Sequence, residues 1–128
     1  MLFRQSLLFL GLIALVVSCV GCGEAQIRAH GTVQFEDGAP LTVGIVVFSN
    51  PQSQYTGMIA QDGSFQLGGI VEGGGLPAGS YSVSIQNAIL NDESIIPVRY
   101  TSAGTSGINF EVTRETARNP LVITLTRP

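Results

Sequence analysis

Two hydrophobic regimes divide the chain. Leu7 to Val17 is an almost unbroken apolar run, whereas beyond residue 28 apolar and polar positions alternate in short stretches separated by Gly, Pro, Asn and Asp. Ala29, Gly31, Val33 and Phe35 alternate with His30, Thr32 and Gln34, the period of two expected of a half-buried strand. Glu36-Asp37-Gly38 supplies hairpin chemistry, and Pro40 limits the turn. Leu41 to Phe48 ends in Ile45-Val46-Val47-Phe48, apolar on both faces, which predicts a central strand. Ser49 to Gln54, with its Asn50-Pro51 and Ser/Gln content, reads as a loop, after which Tyr55 to Ala60 and Ser64 to Leu67 flank a second turn at Gln61-Asp62-Gly63. Gly68 to Gly75 holds five glycines in eight residues and reads as a flexible loop. The cleanest alternation follows, with Tyr81, Val83 and Ile85 on a core face and Ser80, Ser82 and Ser84 on a solvent face. Asn87 to Ser94 is a polar connection. Pro97 makes Ile95 to Tyr100 an edge or crossing segment, because proline cannot donate to a ladder. Ile108, Phe110 and Val112, then Leu121, Ile123 and Leu125, complete the inward set. No window beyond the first run carries ten residues of helical spacing. Seven short strands with regular turn signals predict an all-β fold, a seven-stranded antiparallel sandwich of two sheets.

The N-terminal run has one positive charge before it, Arg4, and ends in small residues at Val16-Val17-Ser18-Cys19, with a second small-residue-then-cysteine ending at Gly21-Cys22. A bilayer-spanning helix needs roughly 20 apolar residues, a length reached here only by counting Ser18, both cysteines and their glycines. The segment therefore reads as an export signal helix, residues 1–18, with an uncleaved anchor as the rival. Val16-Val17-Ser18-Cys19 resembles the lipobox of bacterial lipoproteins, in which a cysteine receives a thioether-linked diacylglycerol and becomes the new N-terminus. The resemblance implies lipid attachment at Cys19. Cys22 is the alternative acceptor, although Cys19 would then stand where the motif takes an aliphatic residue. Residues 19–27 form a tether and residues 28–128 one domain, too short for two cores.

Composition narrows what that domain does. Both cysteines lie in the N-terminal segment, so the domain has no disulfide of its own and depends on packing. Removing residues 1–18 leaves five arginines, no lysine and nine acids. Nucleic-acid binding needs a concentrated positive field to release phosphate counterions, and scattered arginines exclude it. His30 is the only histidine, on the polar side of its strand and without a cysteine near it to complete a zinc set. No serine sits in a Gly-x-Ser-x-Gly elbow. Glu36-Asp37 and Asp92-Glu93 lack the alternating oxygen ligands of a calcium loop, and the glycine run lacks the Gly-Lys-Ser/Thr of a phosphate cradle. The reading is an unmodified turn in the first case and a plain loop in the second. With no tryptophan, only Tyr55 and Tyr100 are candidates for the exposed rings on which sugars stack.

Gly31-Thr32-Val33-Gln34-Phe35, Asp37-Gly38 with Pro40-Leu41, Asp62-Gly63-Ser64-Phe65 and Pro77-Ala78-Gly79-Ser80-Tyr81-Ser82-Val83 occur in this order. Together with Ile96-Pro97, Tyr100 and Thr105-Ser106-Gly107-Ile108, they resemble the transthyretin-like (prealbumin-like, Ig-like) or carboxypeptidase-regulatory-like sandwiches of small lipoproteins in planctomycete-type bacteria. Ala39 stands where a lysine is usual. The resemblance covers residues 28–126 and implies fold more than activity. Transthyretin-like sandwiches include a hydrolase of purine breakdown products, but that enzyme carries several histidines and a Tyr-Arg-Gly-Ser type tail, and this chain ends Leu125-Thr126-Arg127-Pro128. The expectation is a non-catalytic module without cofactor or metal, held to a membrane of the cell envelope by its N-terminal lipid and facing an envelope protein partner. The alternative is a small-ligand or carbohydrate-binding module that uses its loop tips.

Overall fold

The structure is a computed structural model and describes residues 26–68 and 74–128. The signal segment, Cys19, Cys22, the first part of the tether and the centre of the glycine run lie outside the described residues. Nine strands are present among the described residues: β1 (His30–Phe35), β2 (Ile45–Ser49), β3 (Gln54–Met58), β4 (Ser64–Gln66), β5 (Gly79–Gln86), β6 (Ile89–Leu90), β7 (Glu93–Ser94), β8 (Asn109–Val112) and β9 (Leu121–Leu125). Two 3-10 helices, Val98–Thr101 and Arg114–Ala117, interrupt them. The fold is therefore mostly β, as expected.

One sheet has the order β4-β1-β9 and another β3-β2-β5-β8, with β6-β7 a separate ribbon. The two strands beyond the expected seven are that ribbon. Asn91 and Asp92 adopt φ of 52° and 63°, the left-handed pair that closes a two-residue hairpin, so the polar connection pairs with itself. Pro97 ends any strand character in the segment after it, which turns into the first 3-10 helix. One pairing departs from the antiparallel expectation: β9 runs parallel to β1, Gly31 facing Leu121 and Phe35 facing Leu125. β8 brings the chain back to the end at which β1 begins, and the 3-10 helix Arg114–Ala117 carries it to the other sheet. β9 then has to leave in the direction of β1.

Burial follows the sequence pattern closely. Val33 and Phe35 of β1, Val46 and Phe48 of β2, Tyr81, Val83 and Ile85 of β5, and Ile123 and Leu125 of β9 all enter one apolar cluster, so both sheets contribute to the same core. β2 is interior in its sheet, with Val46, Val47 and Phe48 all buried. Phe48 stacks on Phe110 at 5.9 Å with rings 7° apart and meets Phe65 and Tyr81 at 6.5 and 6.1 Å. Ser84 differs from expectation. It is buried rather than solvated, because the outer face of β5 at that position faces Val47 in register and the 3-10 helix Val98–Thr101 lies against the strand.

The two sheets join along one side, where Thr56 of β3 exchanges both backbone hydrogen bonds with Gly68, just past β4, at 2.9 and 3.0 Å. At the opposite flank Gly31 lets β1 approach β9 so closely that a Cβ there would collide with the Leu121 carbonyl. The registers also sort the loops into two ends. Chain entry at residues 26–29, the 50–53 loop, the loop before β5 and Arg114–Ala117 share one end. The turns at 36–39 and 60–63, the β6-β7 ribbon and the C-terminus share the other.

Phe48→Ala is expected to lower folding stability by about 3–5 kcal/mol, since truncation leaves a cavity where three aromatic neighbours meet. Gly31→Ala is expected to cost about 1–3 kcal/mol by forcing β1 from β9. Urea unfolding of the two variants checks both values, and an unchanged midpoint for Gly31→Ala would contradict the close parallel pairing.

Candidate functional site

The residues singled out for chemistry do not converge. Cys19 and Cys22 are outside the described residues. Glu36-Asp37 and Asp92-Glu93 sit on separate exposed turns, and no group of three or more potential metal ligands occurs among the described residues. Tyr55 is half-buried with its ring edge against Tyr81 at 6.0 Å. Tyr100 was expected as an exposed ring and is instead 5% exposed, with its side chain in the core cluster. Its segment folds as a 3-10 helix against β5, which turns the ring inward. No helix among the described residues is long and apolar enough to cross a membrane.

Two clefts remain. The larger, about 480 Å³, lies on the outer face of β5 between the 50–53 loop and the loop after the first 3-10 helix, lined by Ser49, Asn50, Ser80, Ser82, Gly104 and Asn109. The alternation of β5 puts Ser80 and Ser82 on this face, and the β5-β8 register sets Ser82 opposite Asn109. Ser82 Oγ donates to Asn109 Oδ1 at 3.0 Å, and Ser49 Oγ donates to the Ser82 carbonyl at 3.2 Å. The lining offers hydroxyls and amides and no charge. It can hydrogen-bond a neutral polar molecule.

The smaller cleft, about 290 Å³, contains His30 together with Arg28, Ala29, Gln66 and Ala117. Arg28 and His30 lie two residues apart on the extended chain leading into β1, hence on one side of it, while Ala29 between them is buried. β4 supplies Gln66, which faces His30 in register. Arg114–Ala117 closes the cleft through Ala117. The sequence singled out His30 but not Arg28 or Gln66. The two-residue spacing of Arg28 and His30 was visible in it, whereas the approach of Gln66 and Ala117 depends on strand pairing.

At the other end, side chains fasten the C-terminus. Arg99 donates to the Tyr100 hydroxyl at 2.7 Å and to Thr126 Oγ1 at 2.6 Å, and the Thr126 backbone N–H donates to the same phenol at 3.1 Å. Burial alone would raise the Tyr100 pKa, but the bonds from the Thr126 side chain and backbone and from Arg99 outweigh it and hold the phenol below its ordinary value. Arg127 lies 3.9 Å over the Phe35 ring and pairs with Asp37 at 2.9 Å. Asp37 also accepts from the Ala39 N–H at 3.0 Å, its strongest influence, and with Arg127 this holds its carboxyl below the usual value. Asp62 repeats the turn: the Ser64 hydroxyl and then the Ser64 N–H donate to it and lower its pKa. These contacts are structural.

No family model, curated protein or solved structure matches the chain.

Asp37 and Asp62 both ionise more readily in the folded chain than in the unfolded one. Their stabilising contribution is therefore complete above about pH 4, the unfolded range of aspartate, and is lost as pH falls through the lowered folded values. Thermal melting is expected to be level in neutral solution and to fall below that pH. Asp62→Asn should flatten the acid limb, and an identical acid limb in the variant would rule out this carboxylate as a contributor.

Proposed function

We propose that the chain is an exported lipoprotein, acylated at Cys19 or alternatively at Cys22, whose seven main strands form a transthyretin-like β-sandwich serving as a non-catalytic structural or protein-interaction module of the cell envelope. The observation that carries this reading is the apolar run that stops at Val16-Val17-Ser18-Cys19, eight residues before Ile27. Ile27 is the first described residue fixed in the core, paired with Leu76 through hydrogen bonds of 2.8 and 2.9 Å. A lipid-bearing cysteine would thus be followed by a short tether and then directly by the domain.

The sandwich reading is supported by the core shared between the β4-β1-β9 and β3-β2-β5-β8 sheets. The Tyr81 hydroxyl, which donates to the Pro77 carbonyl four residues upstream at 2.7 Å, supports it further. A tyrosine tied back in this way marks a corner in immunoglobulin-type sandwiches. The uncharged cleft over β5 favours a second reading, a module that binds a small neutral ligand such as a carbohydrate.

Trypsin cuts after Arg28, so the N-terminal peptide from the membrane fraction should be Cys19 to Arg28, or Cys22 to Arg28, carrying diacylglycerol. Its mass selects the site. A cleaved but unmodified peptide would remove the membrane from the function and bring the ligand-binding reading forward.

A further inference from the structure

The cleft at the chain-entry end has a donor set that the lipoprotein reading does not use. Arg28 is exposed and makes no ion pair or hydrogen bond among the described residues. His30 and Gln66 face one another across the β1-β4 pair, and among the described residues the lining includes no carboxylate. Arg114 and Arg118 border Ala117 on and beside the second 3-10 helix, and both are exposed without an acidic partner among the described residues. Glu115, on the same turn, does not line the cleft.

From this arrangement we propose that the Arg28-His30-Gln66 cleft binds a phosphate group. A guanidinium fork, an imidazole N–H and a carboxamide NH₂ are three separate donors. They suit an anion with three or four free oxygens better than a carboxylate with two, and arginine is the side chain that recognises phosphate through paired bonds. A cleft of about 290 Å³ accommodates the phosphate with part of what it is attached to.

Position indicates the source. Arg28 is nine residues from Cys19 and six from Cys22, so an extended tether can hold it at most about 32 or 21 Å from an acylated cysteine. The cleft then opens at the end of the domain closest to the lipid headgroups, and each arginine brought to an anionic surface strengthens association about five-fold. This assignment of source rests on the lipoprotein reading. The phosphate chemistry does not.

The test uses the full-length chain in maltoside micelles and phosphate-free buffer, with the His30 ring and Gln66 carboxamide followed by NMR. Inorganic phosphate is titrated in one arm and phosphatidylglycerol is added to the micelles in the other. Saturable shifts of both groups are expected, weakened about ten-fold or more in Arg28→Ala by loss of a charge-assisted pair. A response to phosphatidylglycerol identifies the headgroup as the source, and a response to inorganic phosphate alone identifies the free anion. No response in either arm, or an undiminished one in Arg28→Ala, overturns the site. The mass of the N-terminal peptide reports acylation independently, so an unmodified cysteine would remove the lipid source without touching the phosphate arm.

Discussion

Phe48 has no solvent exposure, and the rings around it come from three other strands: Phe65 from one sheet, Tyr81 and Phe110 from its own. A three-stranded and a four-stranded sheet of this size cannot each stabilise an independent unit, because one apolar face of either would remain in water. Sharing the core is the condition for both. Each aromatic pair adds about 0.5–1.5 kcal/mol beyond the area it buries, and the chain brings several such pairs to one point. Since the chain contains no cysteine after residue 22, this packing holds the domain without a disulfide.

Once the sheets share a core, their margins have to be fixed, and the two flanks use different means. On one flank backbone does the work, through the Thr56-Gly68 bridge. On the other, β9 is held by its parallel pairing with β1 and by the fastening of the residues that follow it. The exposed Arg127-Asp37 pair contributes little by itself, as surface ion pairs do. Tyr100 contributes more. Its buried hydroxyl receives donors from Arg99 and Thr126, and leaving such a group unpaired would cost about 1–3 kcal/mol. Val98 beside it is 82% exposed, so the short helix packs on β5 through Tyr100 and not through its first residue.

The separation of the two ends gives the molecule a direction. Glu36, Asp37, Asp62, Asp92 and Glu93 lie with Arg99 and Arg127 at the end that carries the turns and the C-terminus, whereas Arg28, Arg114 and Arg118 stand with Glu111 and Glu115 where the chain enters. Both clefts open on outer sheet faces and leave the core intact, so either could be lost by mutation without loss of the fold.

Much of this was legible in the residues themselves. The alternation of Val33 and Phe35, of Tyr81, Val83 and Ile85, and of Ile123 and Leu125 is a local property of extended chain, so it identified strands and their inward faces before any partner was known. The Asp-Gly turns at 37–38 and 62–63 are equally local, since the aspartate bonds to a backbone N–H two residues on. Pairing is different. The parallel run of β9 beside β1, the burial of Ser84 and Tyr100, and the meeting of Arg28, His30, Gln66 and Ala117 in one cleft join positions tens of residues apart. Periodicity says which side of a strand is apolar but not which strand lies next to it. The sequence by itself determined the main strands and their faces. Only the tertiary structure decided the neighbours, because these depend on how two sheets too small to stand alone share a single core.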